Sequence, residues 1–200
     1  MKMKFLFSVI LLCLYSYISA QNTESLHKIT YPNIAIKSNL LYDATTTINL
    51  GAEFGLGKKT TFEIPINLNA WDMSDNKKFK HWMVQPEFRF WSCEVFNGFF
   101  WGMHGHAGQF NVGGLKLPFG AFPTLEDHRY EGYFYGAGLG LGYQWILGNR
   151  WNLELGIGAG YTRFEYDKYK CQQCGEKLKE GGRNYIGPDR VALSLIYIIR

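Results

Sequence analysis

The chain has 200 residues, with 21 basic and 17 acidic side chains and a formal net charge of +4, too small an excess for a protein built to neutralise nucleic-acid phosphates. Hydrophobic residues make up 46% and aromatics 17%, yet mean hydropathy is negative, which fits strands that alternate apolar and polar side chains. Beyond the N-terminus no segment reaches the roughly 18 consecutive apolar residues of a spanning helix, so a place in a membrane has to be taken by strands.

Residues 1–20, MKMKFLFSVILLCLYSYISA, place Lys2 and Lys4 ahead of an apolar run and close on Ser19-Ala20. This is the pattern of a secretory signal peptide cleaved after Ala20. Leu12 before Cys13 fits a lipoprotein cleavage site badly, so ordinary cleavage is expected. Without Lys2 and Lys4, 19 basic face 17 acidic groups, a net charge of +2 over the remaining 180 residues. Residues 21–32 are expected to form a short periplasmic segment and 33–200 one outer-membrane domain.

Eight segments then alternate as strands do, at about 33–42, 46–57, 60–70, 81–92, 98–111, 131–147, 150–166 and 185–199. Their connections alternate too. Gly57-Lys58-Lys59, residues 93–97 and Gly148-Asn149 are brief, whereas residues 71–80, 112–130 and 167–184 are long. Short periplasmic turns and longer external loops distinguish bacterial outer-membrane barrels; the link near residues 43–45 is the exception. In YFYGAGLGLGYQWIL (133–147), tyrosines, leucines and Trp145 share one face while Gly136, Gly138, Gly140 and Gly142 share the other. Trp151 and Tyr161 stand ten residues apart, which on a tilted strand spans roughly the 25 Å between aromatic girdles. A soluble ligand-binding barrel would carry its apolar face inward. The expectation is therefore an all-β, eight-stranded antiparallel up-and-down transmembrane β-barrel of the OmpA-like outer-membrane type. Pro65 and Pro86 fall inside strands, and a bulge is expected at one or both.

The same parity turns Lys37, Asn39, Asn49, Glu53, Glu63, Gln85, Glu87, Arg89, His104, His106 and Glu154 inward. Charges in so narrow an interior require partners, and the favoured reading is an ion-pair network that fills and closes it. A metal or proton site formed by His104, His106 and a glutamate is the weaker alternative, so neither metal nor cofactor is expected. Cys171 and Cys174 form a CxxC in the last long link, among Lys168, Lys170, Lys177, Lys179 and Arg183. A disulfide between them is favoured over a free dithiol or a shared metal site. Ser74, Asp127 and His128 are the candidates for catalysis on lipid, but no spacing sets a serine against a histidine. The basic links, with Lys77, Lys78 and Lys80, suit contact with lipopolysaccharide phosphates.

KSNLLYDA (37–44), QPEFRFW (85–91), GYQWILGNRWNLELGIGAGY (142–161), YKCQQCG (169–175) and YIGPDRVALSLIYII (185–199) together resemble a family of Bacteroidota outer-membrane barrels known as a domain of unknown function. The resemblance covers nearly the whole mature chain. It implies a non-enzymatic, structural or accessory role at the cell surface, with an association to fimbrial or other surface assembly and a surface protein as partner. It supplies no catalytic residues. A lipid-modifying enzyme and a small-solute channel are the alternatives.

Overall fold

The computed structural model describes residues 34–71, 78–114, 125, 127–170 and 175–199. They belong to one compact unit, Tyr31–Arg200. The expected signal peptide and the segment at 21–32 lie outside the described residues. Among those described, no helix is long and apolar enough to cross a membrane.

Among the described residues, nine strands account for most of the chain: β1 (Ile34–Asn39), β2 (Ile48–Gly55), β3 (Thr60–Asn69), β4 (Lys78–Val84), β5 (Glu87–Trp91), β6 (Gly98–Gly113), β7 (Arg129–Ile146), β8 (Trp151–Tyr169) and β9 (Lys177–Ile198). Every pairing is antiparallel, and β1 joins β9 as well as β2, so the sheet closes on itself. Closure leaves no row of unpaired backbone groups at an edge. The link after β1 is a single helical turn, α1 (Leu40–Ala44), whose Asn39 cap accepts from the Leu41 N–H at 3.1 Å.

The expected segment 81–92 is two strands, and two prolines divide it. β4 and β5 both pair with β3 on one side and β6 on the other, and the register is the same before and after the gap: Ile66 faces Val84, Glu63 faces Glu87. No bulge occurs at either proline. In this register Pro65 stands opposite Gln85 and Pro86 opposite Gly105. Gln85 donates to the Pro65 carbonyl at 3.2 Å and Gly105 to the Pro86 carbonyl at 3.0 Å, so each pair keeps one bond. The return bond is lost because proline has no N–H. The β2–β3 ladder passes Pro65 without interruption, since the missing donor points to the other neighbour.

Two irregularities lie elsewhere, between β8 and β9: one leaves Leu178 unpaired near the long link, and the other stands next to a third proline. Gly158 pairs with Arg190 and Ala159 with Pro188, so Asp189 is the extra residue in β9. Its effect is to turn two consecutive side chains, Asp189 and Arg190, into the interior, with 4% and 9% of their side-chain surface exposed. The outer side keeps Val191 on one flank and Ile186 on the other, the latter 83% exposed.

β8 and β9 run past the expected ends, pairing through Asp167 with Glu180 and Lys168 with Lys179. Alternation stops there because neither face of this extension is apolar; Arg163 binds Asn184 at 2.7 Å and Lys177 lies 3.0 Å from Asp167. Hydrogen bonds to Glu180 and Asp167 hold the exposed Lys177 ammonium above its usual pKa.

The two faces of the closed sheet differ in kind. Outside stand Leu50, Ile66, Leu139 and Ile157, each more than half exposed, with Trp101, Tyr143, Trp145 and Trp151 toward the short links and Trp82, Tyr135 and Tyr161 toward the long ones. Inside stand the charged residues and the glycines, between an apolar cluster at one end and aromatic rings at the other.

Candidate functional site

The interior is layered along its axis. At the short-link end, the turn after β5 folds beneath the sheet and buries Val95 and Phe96 against Trp91, Phe100, Ala35 and Ile196. Phe96 takes a positive φ of 63° to make this turn, a conformation that is uncommon for a bulky residue. The Asn152 amide fixes the turn by donating to the Phe96 carbonyl at 2.9 Å.

Above this apolar floor lies the ion-pair layer. The Arg89 guanidinium rests 4.4 Å from the Phe100 ring centre and grips Glu154 with two bonds, at 2.8 and 3.0 Å. It also reaches Glu87 at 2.5 Å, Glu53 at 3.1 Å and Glu63. Lys37 meets Glu154 at 2.7 Å and contacts Glu53. Next to the bulge, β9 adds Arg190, which contacts Glu87 and lies 3.3 Å from Glu63. Thr61 donates to Glu53 and receives the Trp91 indole N–H at 2.9 Å, tying the floor to the charges. All of these groups are nearly or wholly buried. At such burial, a charge is tolerated only when its partners saturate it.

His104 and His106, one step further along β6, do not join the glutamates. His104 Nε2 is 3.0 Å from Asp189 Oδ2 and His106 Nε2 is 2.9 Å from Thr162 Oγ1. Glycines make the space. A Cβ at Gly138 would stand 2.5 Å from Asp189 Oδ2 and 2.7 Å from His104 Nε2, and one at Gly136 would stand 2.6 Å from His106 Nε2. Gly136, Gly138 and Gly140 are thus the wall against which the imidazoles and carboxylates pack, while Gly142 makes room for the Phe100 ring.

Beyond the histidines the interior becomes aromatic. Phe110, Phe134 and Phe164 meet with ring centres 5.8 to 6.2 Å apart, and with Phe79, Tyr130 and Tyr185 they line a cavity of about 410 Å³. His106 lies 6.1 Å from the Phe134 ring.

Lys37, Glu53, Glu63, Glu87, Arg89 and Glu154 therefore come together in one network, while His104 and His106 form a separate group. Gln85 is buried nearby, and Asn39 and Asn49 bind each other near α1. Asp189 and Arg190 are additions to the expected interior set: Arg190 shares the face of Ala192 and Ser194, whereas Asp189 turns the same way only because the bulge reverses the count at that residue. Pro188 was a partial signal: prolines inside sheets gather at bulges and edges, although Pro65 and Pro86 sit in unshifted ladders of this sheet. Cys171 and Cys174, with Ser74 and Lys77, lie outside the described residues; Asp127 is exposed and His128 half-buried just ahead of β7.

No curated protein and no solved structure matches the chain. The family described as "Protein of unknown function (DUF3575)" matches it over residues 6–199, and the chain belongs to that family.

Proposed function

Starting from membership in a family of unknown function, we propose that this chain is an eight-stave outer-membrane β-barrel. Its lumen is closed by side chains, and it serves at the cell surface as a structural or accessory protein. One observation carries the reading: the continuous outer wall is apolar and exposed, and the charges are inside. Leu139 at 62%, Leu50 at 60% and Ile66 at 56% exposure would be a large apolar surface to hold in water and is an ordinary one to hold in lipid. Counting β4 and β5 as two halves of one stave, because they share a register, gives the even number of such barrels.

A passive channel is disfavoured by the two layers across the lumen, the apolar floor of Trp91, Phe96 and Phe100 and the ion pairs of Arg89 above it. The surface role is the one the family resemblance implies, with fimbrial or other surface-structure proteins as partners and lipopolysaccharide as surroundings. One observation favours a second reading, an enzyme acting on outer-membrane lipid: the aromatic cavity of about 410 Å³ at the long-link end is of a size and polarity to take an apolar group.

Fractionation combined with gel migration of boiled and unboiled protein tests the barrel. Recovery in the outer membrane with a heat-dependent mobility shift is expected; a soluble periplasmic protein without the shift overturns it. Loss of a surface structure from cells lacking the protein, restored by the intact chain, is the expected sign of the accessory role. Lipid whose composition changes with the protein's presence would favour the enzyme instead.

A further inference from the structure

Between the ion pairs and the aromatic cavity, β6 and β9 bring together His104, His106 and Asp189. One donor atom from each lies within 4.8 Å of the other two. We propose that these three side chains bind a divalent transition-metal ion, zinc being the best fit, with His104 Nε2, His106 Nδ1 and the Asp189 carboxylate as ligands.

Four observations converge. The donor set, two imidazoles and one carboxylate, is one that zinc takes while keeping a further position for water or a ligand. The geometry is close to what a shared ion needs, since Asp189 Oδ2 is 3.0 Å from His104 Nε2 and 3.9 Å from His106 Nδ1.

Hydrogen bonding leaves the group unsatisfied. His106 Nδ1 and Asp189 Oδ1 are buried with no partner, and the two histidines are only 3% and 6% exposed. Buried polar atoms are ordinarily bonded, and a cation would use the electron pairs of these two; His104, which would bind through Nε2, keeps its unpartnered Nδ1 either way. Thr162 on His106 Nε2 has the place of the outer partner that orients a metal-binding imidazole. With Nε2–H donating there, the Nδ1 lone pair points to the cluster.

The charge balance asks for a cation. Lys37, Arg89 and Arg190 supply three positive charges, and Glu53, Glu63, Glu87, Glu154 and Asp189 five negative ones. Three against five leaves two negative charges in a layer sealed from water when both histidines are neutral. One divalent ion cancels them. Two protons, one on each imidazole, would cancel them equally, and the test has to separate these cases.

The test uses full-length protein, processed by its own host and purified in detergent, with Cys93, Cys171 and Cys174 changed to Ser so that no thiol competes as a ligand. After chelator treatment, zinc is titrated against a chromophoric chelator. One equivalent per chain is expected, weakened about 100-fold in Asp189→Asn and His106→Gln and about 10- to 100-fold in Thr162→Val. Heat-dependent migration checks that each variant is folded. In the parent protein, whatever the variants do, long-range ¹⁵N NMR should move His104 Nε2 and His106 Nδ1 on zinc addition. Absence of stoichiometric binding, binding unchanged in the folded variants, or imidazoles that stay doubly protonated at neutral pH with zinc present would each overturn the proposal.

Discussion

Single atoms decide what the interior tolerates. Glu154 accepts both nitrogens of Arg89 and also meets Lys37, so Glu154→Ala leaves two buried cations short of a partner. The expected loss is about 3–5 kcal/mol, the usual cost of breaking a buried ion pair from one side, read by urea unfolding in detergent or lipid vesicles. An unchanged midpoint would mean that the layer is hydrated and does not seal the lumen. Glycine substitutions give a sharper contrast. At Gly160 an added methyl would collide with the Ala137 carbonyl and Asp189 Oδ2, whereas at Gly148 it would meet nothing within 4 Å. Gly160→Ala should cost about 1–3 kcal/mol and Gly148→Ala less than about 0.5 kcal/mol. Equal effects would contradict the tight packing of β7, β8 and β9 around Asp189.

At the level of elements, the break between β4 and β5 is a matter of missing donors in a ladder whose register never changes. Pro86→Ala restores an N–H opposite Gly105. The expected outcome is a new amide protected from hydrogen exchange at position 86 and a gain of about 1 kcal/mol, the net worth of one such bond. An exchanging amide would place the strand break in the Gln85 backbone instead. The turn after β5 is the complementary case. Alternation marked residues 93–97 as a brief connection, and nothing in their spacing announced that Val95 and Phe96 are the floor of the interior. Phe96→Ala is expected to cost about 3–5 kcal/mol, far more than a truncation in a solvent-facing turn, as checked by the same unfolding measurement.

At the level of the whole molecule, the outward wall predicts its solvent. Leu139 stands midway between Tyr135 and Tyr143 on the outer face of β7 and is 62% exposed. In a bilayer Leu139→Arg should destabilise by about 2–4 kcal/mol, the cost of arginine near the midplane of a barrel's lipid face. In water the same change would be nearly neutral. Refolding into vesicles compared with detergent distinguishes the two, and a neutral result in vesicles would reverse the assignment of the faces.

A side-chain period of two was legible in the residues alone. It carried the strand faces of 133–147 and 150–161, the antiparallel hairpins between them, and the inward placement of Lys37, Glu53, Glu63, Glu87, Arg89, His104, His106 and Glu154. Each of these is a local property, because a strand's neighbours along the chain fix which side a residue takes. The partners were settled only by the closed sheet: which glutamates meet Arg89 and Arg190, that the histidines turn from the glutamates to Asp189 and Thr162, and that Asp189 faces inward at all. A bulge at Asp189 shifts one strand against the next by a single residue, and the register of ladders joined around a ring is set only when all of them are paired.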